Sequence, residues 1–91
     1  MNKKFTGTLY KTDGTKEEIK IPNKEMLAYL QKLVGGYIQI IQINNQDVVM
    51  NEEGRIIGLE NNSWSKEITK GTKWSKTQFL GNIIVINGNL R

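Results

Sequence analysis

Residues 23–43, NKEMLAYLQKLVGGYIQIIQI, constrain the fold more than any other stretch, because they read as one helix, a double-glycine stop and then the most hydrophobic strand of the chain. Pro22 bars a helix from running further back, and Asn23 after it is a good N-cap, which predicts a helix over 24–34. Met26, Leu27, Leu30, Leu33 and Val34 recur at spacings of three and four and define its apolar face. Glu25 lies near the positive end of the helix dipole and Lys32 near the negative end. Gly35 supplies the left-handed C′ position that a residue with a Cβ resists. From Tyr37 to Ile43 the period changes to that of a strand.

Strands before and after can be placed on this unit. Phe5, Gly7 and Leu9 alternate with Lys4, Thr6 and Thr8, as in a half-buried strand. An Asp13-Gly14 turn returns the chain into residues 17–21 with Ile19 and Ile21 inward, so the two segments form an antiparallel hairpin. Pro22 ends it. Residues 44–47, NNQD, form a polar turn into Val48-Val49-Met50, and NEEG at 51–54 is a further turn. Residues 55–59 fit either a short strand or a packed loop. Residues 60–81 read as loop with one short helix near Trp64 and Ile68. Ile83 to Ile86 is β-branched throughout, as suits a strand covered on both faces, and Asn87-Gly88 closes it. The expected fold class is α+β: a single domain, 1–91, with an antiparallel sheet of about five strands and one main helix packed on one face.

Composition excludes several classes of chemistry. The 91 residues contain no cysteine and no histidine, which removes disulfides, thiolate or imidazole metal sites, nucleophilic thiols and the commonest general base. No metal and no cofactor is expected. The chain has no apolar run near the roughly 20 residues of a membrane span, and MNKKFTGTLY lacks a signal-peptide core, so a cytoplasmic protein without membrane contact, monomer or homodimer, is expected. The net charge of +4 is unevenly spread. Residues 34–60 hold only Arg55 against Asp47, Glu52, Glu53 and Glu60, whereas residues 61–91 hold Lys66, Lys70, Lys73, Lys76 and Arg91 against Glu67.

Each candidate for chemistry has a plain structural reading beside it. Glu52 and Glu53 are adjacent, so an extended chain would point them to opposite faces, and Asp47, Asn51, Glu52 and Glu53 match no loop of the EF-hand kind. A solvated turn is the favoured reading. Gly35-Gly36 follows a helix, the wrong polarity for a phosphate cradle. Tyr37 has a face on which a base or nucleotide could stack, but a tyrosine opening a strand beside a helix end reads first as core. The foremost lead is WSKEITKGTKWSK at 64–76, where Lys66, Lys70, Lys73 and Lys76 are interleaved with Trp64 and Trp74. Such a segment offers phosphate neutralisation and flat surfaces for unpaired bases. Equally, one or both indoles would plug the open face of the sheet while the lysines keep the loop soluble.

The runs LQKLVGGYIQII, NEEGRIIGLENN and FLGNIIVING resemble a family of small proteins of unknown function common in bacteriophages and other mobile elements. Its members share a helix ending LVGGYIE, a NEEGK-type turn and a terminal glycine-plus-hydrophobic strand. The matching positions are Leu33 to Ile38 in the first motif and Asn51, Glu52, Glu53, Gly54, Leu59 and Asn61 in the second. Arg55 replaces the usual lysine and Gln39 an acid, and residues 63–78 depart most. The resemblance carries no reaction. It implies a phage or mobile-element setting, and with it the cytoplasm of an infected bacterial host.

Three functional classes follow. The first is a non-enzymatic phage-type inhibitor of host defence, of the anti-CRISPR kind, that binds RNA or an RNA-guided nuclease. Its contact residues would be Trp64, Lys66, Lys70, Lys73, Trp74 and Lys76, with Tyr37, Glu52, Glu53, Arg55 and Asn61 as secondary candidates. The second is a sponge that sequesters a small nucleotide signal. An enzyme is disfavoured, since no positioned acid–base pair can be read. The first class is the expectation.

Overall fold

The computed structural model describes residues 5–87. Lys4, Gly88 and Arg91, which the sequence reading places in the first strand, the closing turn and the basic end, lie outside them. The elements in chain order are β1 (Phe5–Tyr10), β2 (Lys16–Ile21), α1 (Met26–Val34), β3 (Ile38–Ile43), β4 (Gln46–Asn51), α2 (Ser65–Thr69) and β5 (Ile83–Ile86). The five strands form one antiparallel sheet in the order β2-β1-β5-β4-β3, so the last strand to be synthesised lies in the middle. That position explains its composition. Ile84 and Ile86 face α1 and Ile83 faces the opposite side, all without exposed surface.

The β1–β2 hairpin pairs Phe5 with Ile21 and Tyr10 with Lys16. Its turn is held by Asp13, whose carboxylate accepts hydrogen bonds from the Thr15 hydroxyl at 2.6 Å and the Thr15 N–H at 2.9 Å. These bonds, the hydroxyl first, hold the Asp13 carboxyl below its ordinary value. The β3–β4 turn is shorter than expected. Only Asn44 and Asn45 lie in it, both at positive φ (52° and 64°), as a tight two-residue hairpin requires. Gln46 and Asp47 therefore belong to β4, and Asp47 is buried with the Gln42 amide donating to its carboxylate at 3.3 Å.

Helix α1 starts two residues later than expected. Glu25, not Asn23, is the N-cap residue, in the left-handed region at φ 57°, and it makes no side-chain cap bond. The chain bends at 23–25 after Pro22, and that bend carries Asn23 away from the helix end. The shift also corrects the apolar face. Met26, Tyr29, Leu30, Leu33 and Val34 follow the spacing of a single stripe and pack on the sheet, while Leu27 lies off the stripe and is 56% exposed. At the other end Gly35 is left-handed (φ 82°) and donates its N–H to Gln31 O at 2.8 Å, as the C-cap reading expects. Tyr37, expected in the core, is 65% exposed.

The second face of the sheet is covered without a long helix. Ile41, Ile43, Val48, Met50, Ile83 and Val85 project there and are overlaid by Ile68 of α2, Trp74 and Phe79. Residues 52–58 are a succession of turns, so 55–59 is loop rather than strand, with Ile56 and Ile57 projecting outward and Leu59 packed beside Gly81. Among the described residues no helix is long and apolar enough to cross a membrane.

Candidate functional site

Besides the packing of Ile68, Trp74 and Phe79 on the sheet, the segment bearing the lysines is held by a set of polar contacts. Asn62, with no exposed surface, is their centre. Its amide donates to Tyr10 O at 2.9 Å and to Gly81 O at 2.8 Å, and its side-chain oxygen accepts from the Trp64 N–H at 2.9 Å. The Ser65 hydroxyl donates to Asn62 O at 2.7 Å and accepts from the Phe79 N–H at 2.9 Å, and the Thr69 hydroxyl donates to Ser65 O at 2.6 Å. Thr72 continues the series, donating its hydroxyl to Thr69 O and accepting from the Trp74 N–H. The backbone is thus tied at intervals between 62 and 74. Sequence reasoning named the neighbour, Asn61, which is exposed and meets Leu80 only as an isolated bridge. A signal for Asn62 did exist: an asparagine two residues before the N-cap residue of a helix, here Trp64, forms an Asx turn that leads into the helix.

On this frame Lys66, Lys70, Lys73 and Lys76 are all exposed. Among the described residues none of the four forms an ion pair, whereas Lys11 pairs with Glu17 at 3.7 Å. The two indoles lie elsewhere than an open stacking platform would put them. Trp74 is half-buried against the second-face cluster and Lys73 Nζ lies 5.4 Å from its ring centre. Trp64 is half-buried with its ring 5.2 Å from that of Tyr10 and under Lys16 Nζ at 5.1 Å. Both indole N–H groups are buried and find no acceptor among the described residues. The aromatic half of the segment packs on the sheet, and the cationic half faces solvent.

The motif residues meet in one place, at the C-terminus of α1. Asn51 Nδ2 donates to Val34 O at 3.1 Å, and its Oδ1 accepts from the Glu53 N–H at 2.7 Å. Asn82 Nδ2 donates to Leu33 O at 3.2 Å. Two helix carbonyls that the helix itself leaves unpaired are satisfied by asparagines from β4 and from the residue before β5. Gly36 fits the same contact closely, since a Cβ there would stand 3.0 Å from Asn51 Nδ2 and press on its bond to Val34 O. LVGG, NEEG and LGN are therefore three parts of one structural joint.

Open clefts lie around that joint, one of about 310 Å³ lined by Leu33, Val34, Gly35 and Asn82, and two beside the NEEG turn. The larger, about 360 Å³, has an apolar floor of Ile41, Met50, Trp74 and Phe79 and a rim carrying Glu52, Glu53 and Arg55. The smaller, about 280 Å³, is lined by Gly35, Gly36, Tyr37, Glu53 and Ile57 among others. Asp47 and Asn51 are turned inward and engaged, so the four oxygen-bearing residues weighed as a cation site do not converge, and no group of three acidic side chains does so among the described residues.

No curated protein and no solved structure matches the chain. One family model does, over residues 6–89, nearly the whole described sheet and both helices. The chain belongs to the family described as a domain of unknown function, DUF3846.

Proposed function

We propose that the chain is a non-catalytic binding protein that engages RNA, free or held by an RNA-guided nuclease, through Lys66, Lys70, Lys73 and Lys76, and that it acts as a phage-type inhibitor of host defence. The observation that carries the reading is the display of these four exposed lysines, without an ion pair among the described residues, on a backbone held by successive hydrogen bonds. A bonded backbone limits the ordering cost of binding to the lysine side chains, and phosphate contacts give affinity without sequence selectivity. With both indoles packed on the sheet, electrostatics supplies the binding and stacking a smaller part than an exposed tryptophan would. The nucleotide-sponge reading is weaker, because the cleft beside Tyr37 is lined by Glu53 and the larger one carries two carboxylates against Arg55, a poor setting for phosphate.

Binding of a single-stranded RNA oligonucleotide across a salt series tests this directly. The log affinity should fall with log salt by about 0.7 for each phosphate contact, and each single lysine-to-alanine change should lower that slope by one such step. Reversing the charge at all four positions should abolish binding. Binding that survives the reversal would refute the proposal and direct attention to the acidic surface of Glu52, Glu53 and Glu60, which would then imitate phosphate toward a basic protein.

A further inference from the structure

The second face of the sheet is covered over only part of its width. Each row of residues across that face changes character between β5 and β1: Tyr10 stands beside Ile83 on one side and Lys16 on the other, and Thr8 beside Val85 and Glu18. On the β5 side the row is apolar and lies under the segment 62–80. On the β1 and β2 side it is polar, with Thr6, Lys16, Glu18 and Lys20 exposed. In β2 the residues packed toward α1 are Ile19 and Ile21, so the alternate residues Lys16, Glu18 and Lys20 share the second face with the lysine segment.

Trp64 joins this open strip to the lysine segment. Its ring rests on that of Tyr10, and Lys16 Nζ lies 5.1 Å from its centre, so cation–π attraction holds the ammonium over the indole. Lys66 follows in α2. Among the described residues Lys16 and Lys20 form no ion pair, whereas Lys11 is engaged by Glu17. The two ends of the segment differ in charge. At the Trp74 end it borders a cleft whose rim carries Glu52 and Glu53 against Arg55. At the Trp64 end Lys16, Lys20 and Lys66 stand against Glu18 and Glu67, and the Glu18 carboxylate accepts from the Thr8 hydroxyl at 3.4 Å. A polyanion lying on the segment is therefore drawn onward past Trp64 rather than past Trp74.

We propose that the nucleic-acid surface extends beyond the four lysines onto the uncovered β1–β2 half of the second face, with Lys16 and Lys20 as two further phosphate contacts and Trp64 as the residue that positions Lys16. This path rests on the RNA reading above and adds the direction in which the strand leaves the segment. Lys16 and Lys20 are roughly 7 Å apart along β2, so neighbouring phosphates of one strand can each meet a cation carried by the sheet. Trp64, packed on Tyr10 rather than open for stacking, then serves binding through Lys16 and not through a base of its own.

Salt titrations of the full chain with a single-stranded RNA oligonucleotide separate this path from the reading it rests on. Lys16→Ala and Lys20→Ala should each lower the slope of log affinity against log salt by about 0.7, as a change at one of the four segment lysines does, with the melting temperature unchanged. Lys32→Ala, on α1 and so on the opposite layer, should leave the slope as it is. Glu18→Gln should tighten binding about twofold, since a carboxylate roughly 7 Å from a bound phosphate repels it through water and salt. Trp64→Leu should weaken binding about threefold in the wild-type chain and not at all in Lys16→Ala, a coupling that a merely structural role does not produce. If Lys16→Ala or Lys20→Ala keeps the wild-type slope while the segment lysines lower it, the path is wrong and the RNA reading stands. If Lys32→Ala lowers the slope as much as Lys16→Ala does, binding follows net charge and the path is overturned. Equal losses from Trp64→Leu in both backgrounds overturn the positioning role. A chain that binds no RNA overturns both the path and the reading beneath it.

Discussion

The two faces of the sheet are closed by different physics. On one, α1 lays a continuous stripe over Leu9, Ile21, Val49, Ile84 and Ile86, and burial of aliphatic surface holds it. On the other, residues 62–80 contribute Ile68, Trp74 and Phe79 to the apolar cluster and Trp64 against Tyr10, and the segment is held also by the bonds of Asn62, Ser65, Thr69 and Thr72. The helix face can be made from residues that tell nothing of their neighbours. The second face depends on particular donors meeting particular carbonyls, and among the described residues it offers the two indole N–H groups no acceptor. A cover of this kind spends few residues on burial and keeps its outer side free for lysines.

The largest effect should come from the helix face. Leu30→Ala removes a side chain that is 1% exposed at the centre of the stripe, and a loss of about 2–5 kcal/mol, measured by denaturant unfolding, is expected. Leu27→Ala, one residue off the stripe to solvent, should change stability by about 0.5 kcal/mol or less. Equal losses at the two positions would mean that α1 does not present the face described.

A polar counterpart is expected on the second face. Asn62→Ala leaves Tyr10 O and Gly81 O without their donor and the Trp64 N–H without its acceptor, all near or inside the buried layer. A loss of about 3 kcal/mol is expected, with Asn61→Ala nearly neutral beside it. Since the lysines are carried by the segment that Asn62 anchors, hydrogen exchange in Asn62→Ala should speed up across 62–80 before it does in α1. A uniform, global loss of protection would show that the two covers are not separable.

The same contrast explains what could be read from the chain in advance. The helix, its Gly35 stop, the first hairpin and the central position implied by four consecutive β-branched residues at 83–86 are written in periodicity and turn chemistry, which are local. Asn23 was a sound cap on local grounds, but the bend after Pro22 and the left-handed Glu25 are set by how β2 must deliver the chain onto the sheet face. Tyr37 looked like core because strand-opening aromatics usually have a layer above them. Here the helix has already ended at Gly35, and β3 is the outermost strand. The roles of Asn51, Asn62 and Asn82 were not legible because each bonds a carbonyl 17 to 52 residues away, and no short window contains both partners. The four lysines were legible as charges, while the side on which the indoles lie depended on the whole second face.

The smallest effect, and the sharpest discriminator between the two uses of the tryptophans, is expected for Trp74→Phe. The ring contributes apolar area to the cluster with Met50, Phe79 and Ile83, and phenylalanine keeps much of that area. The indole also brings a buried N–H with no acceptor, whose desolvation phenylalanine avoids, and it gives Lys73 a better cation–π face than a phenyl ring does. These terms oppose one another at about 1 kcal/mol each, so the net change in stability should stay within about 1 kcal/mol of zero, whereas Trp74→Ala, which opens the second face, should cost about 3 kcal/mol. RNA affinity should follow the lysines and remain within a factor of about 3 of wild type in Trp74→Phe, since a ring committed to the sheet has no base to lose. A fall in affinity by about 1–3 kcal/mol at unchanged melting temperature would instead mean that the indole leaves the sheet to stack on a base, and that the second face opens when RNA binds.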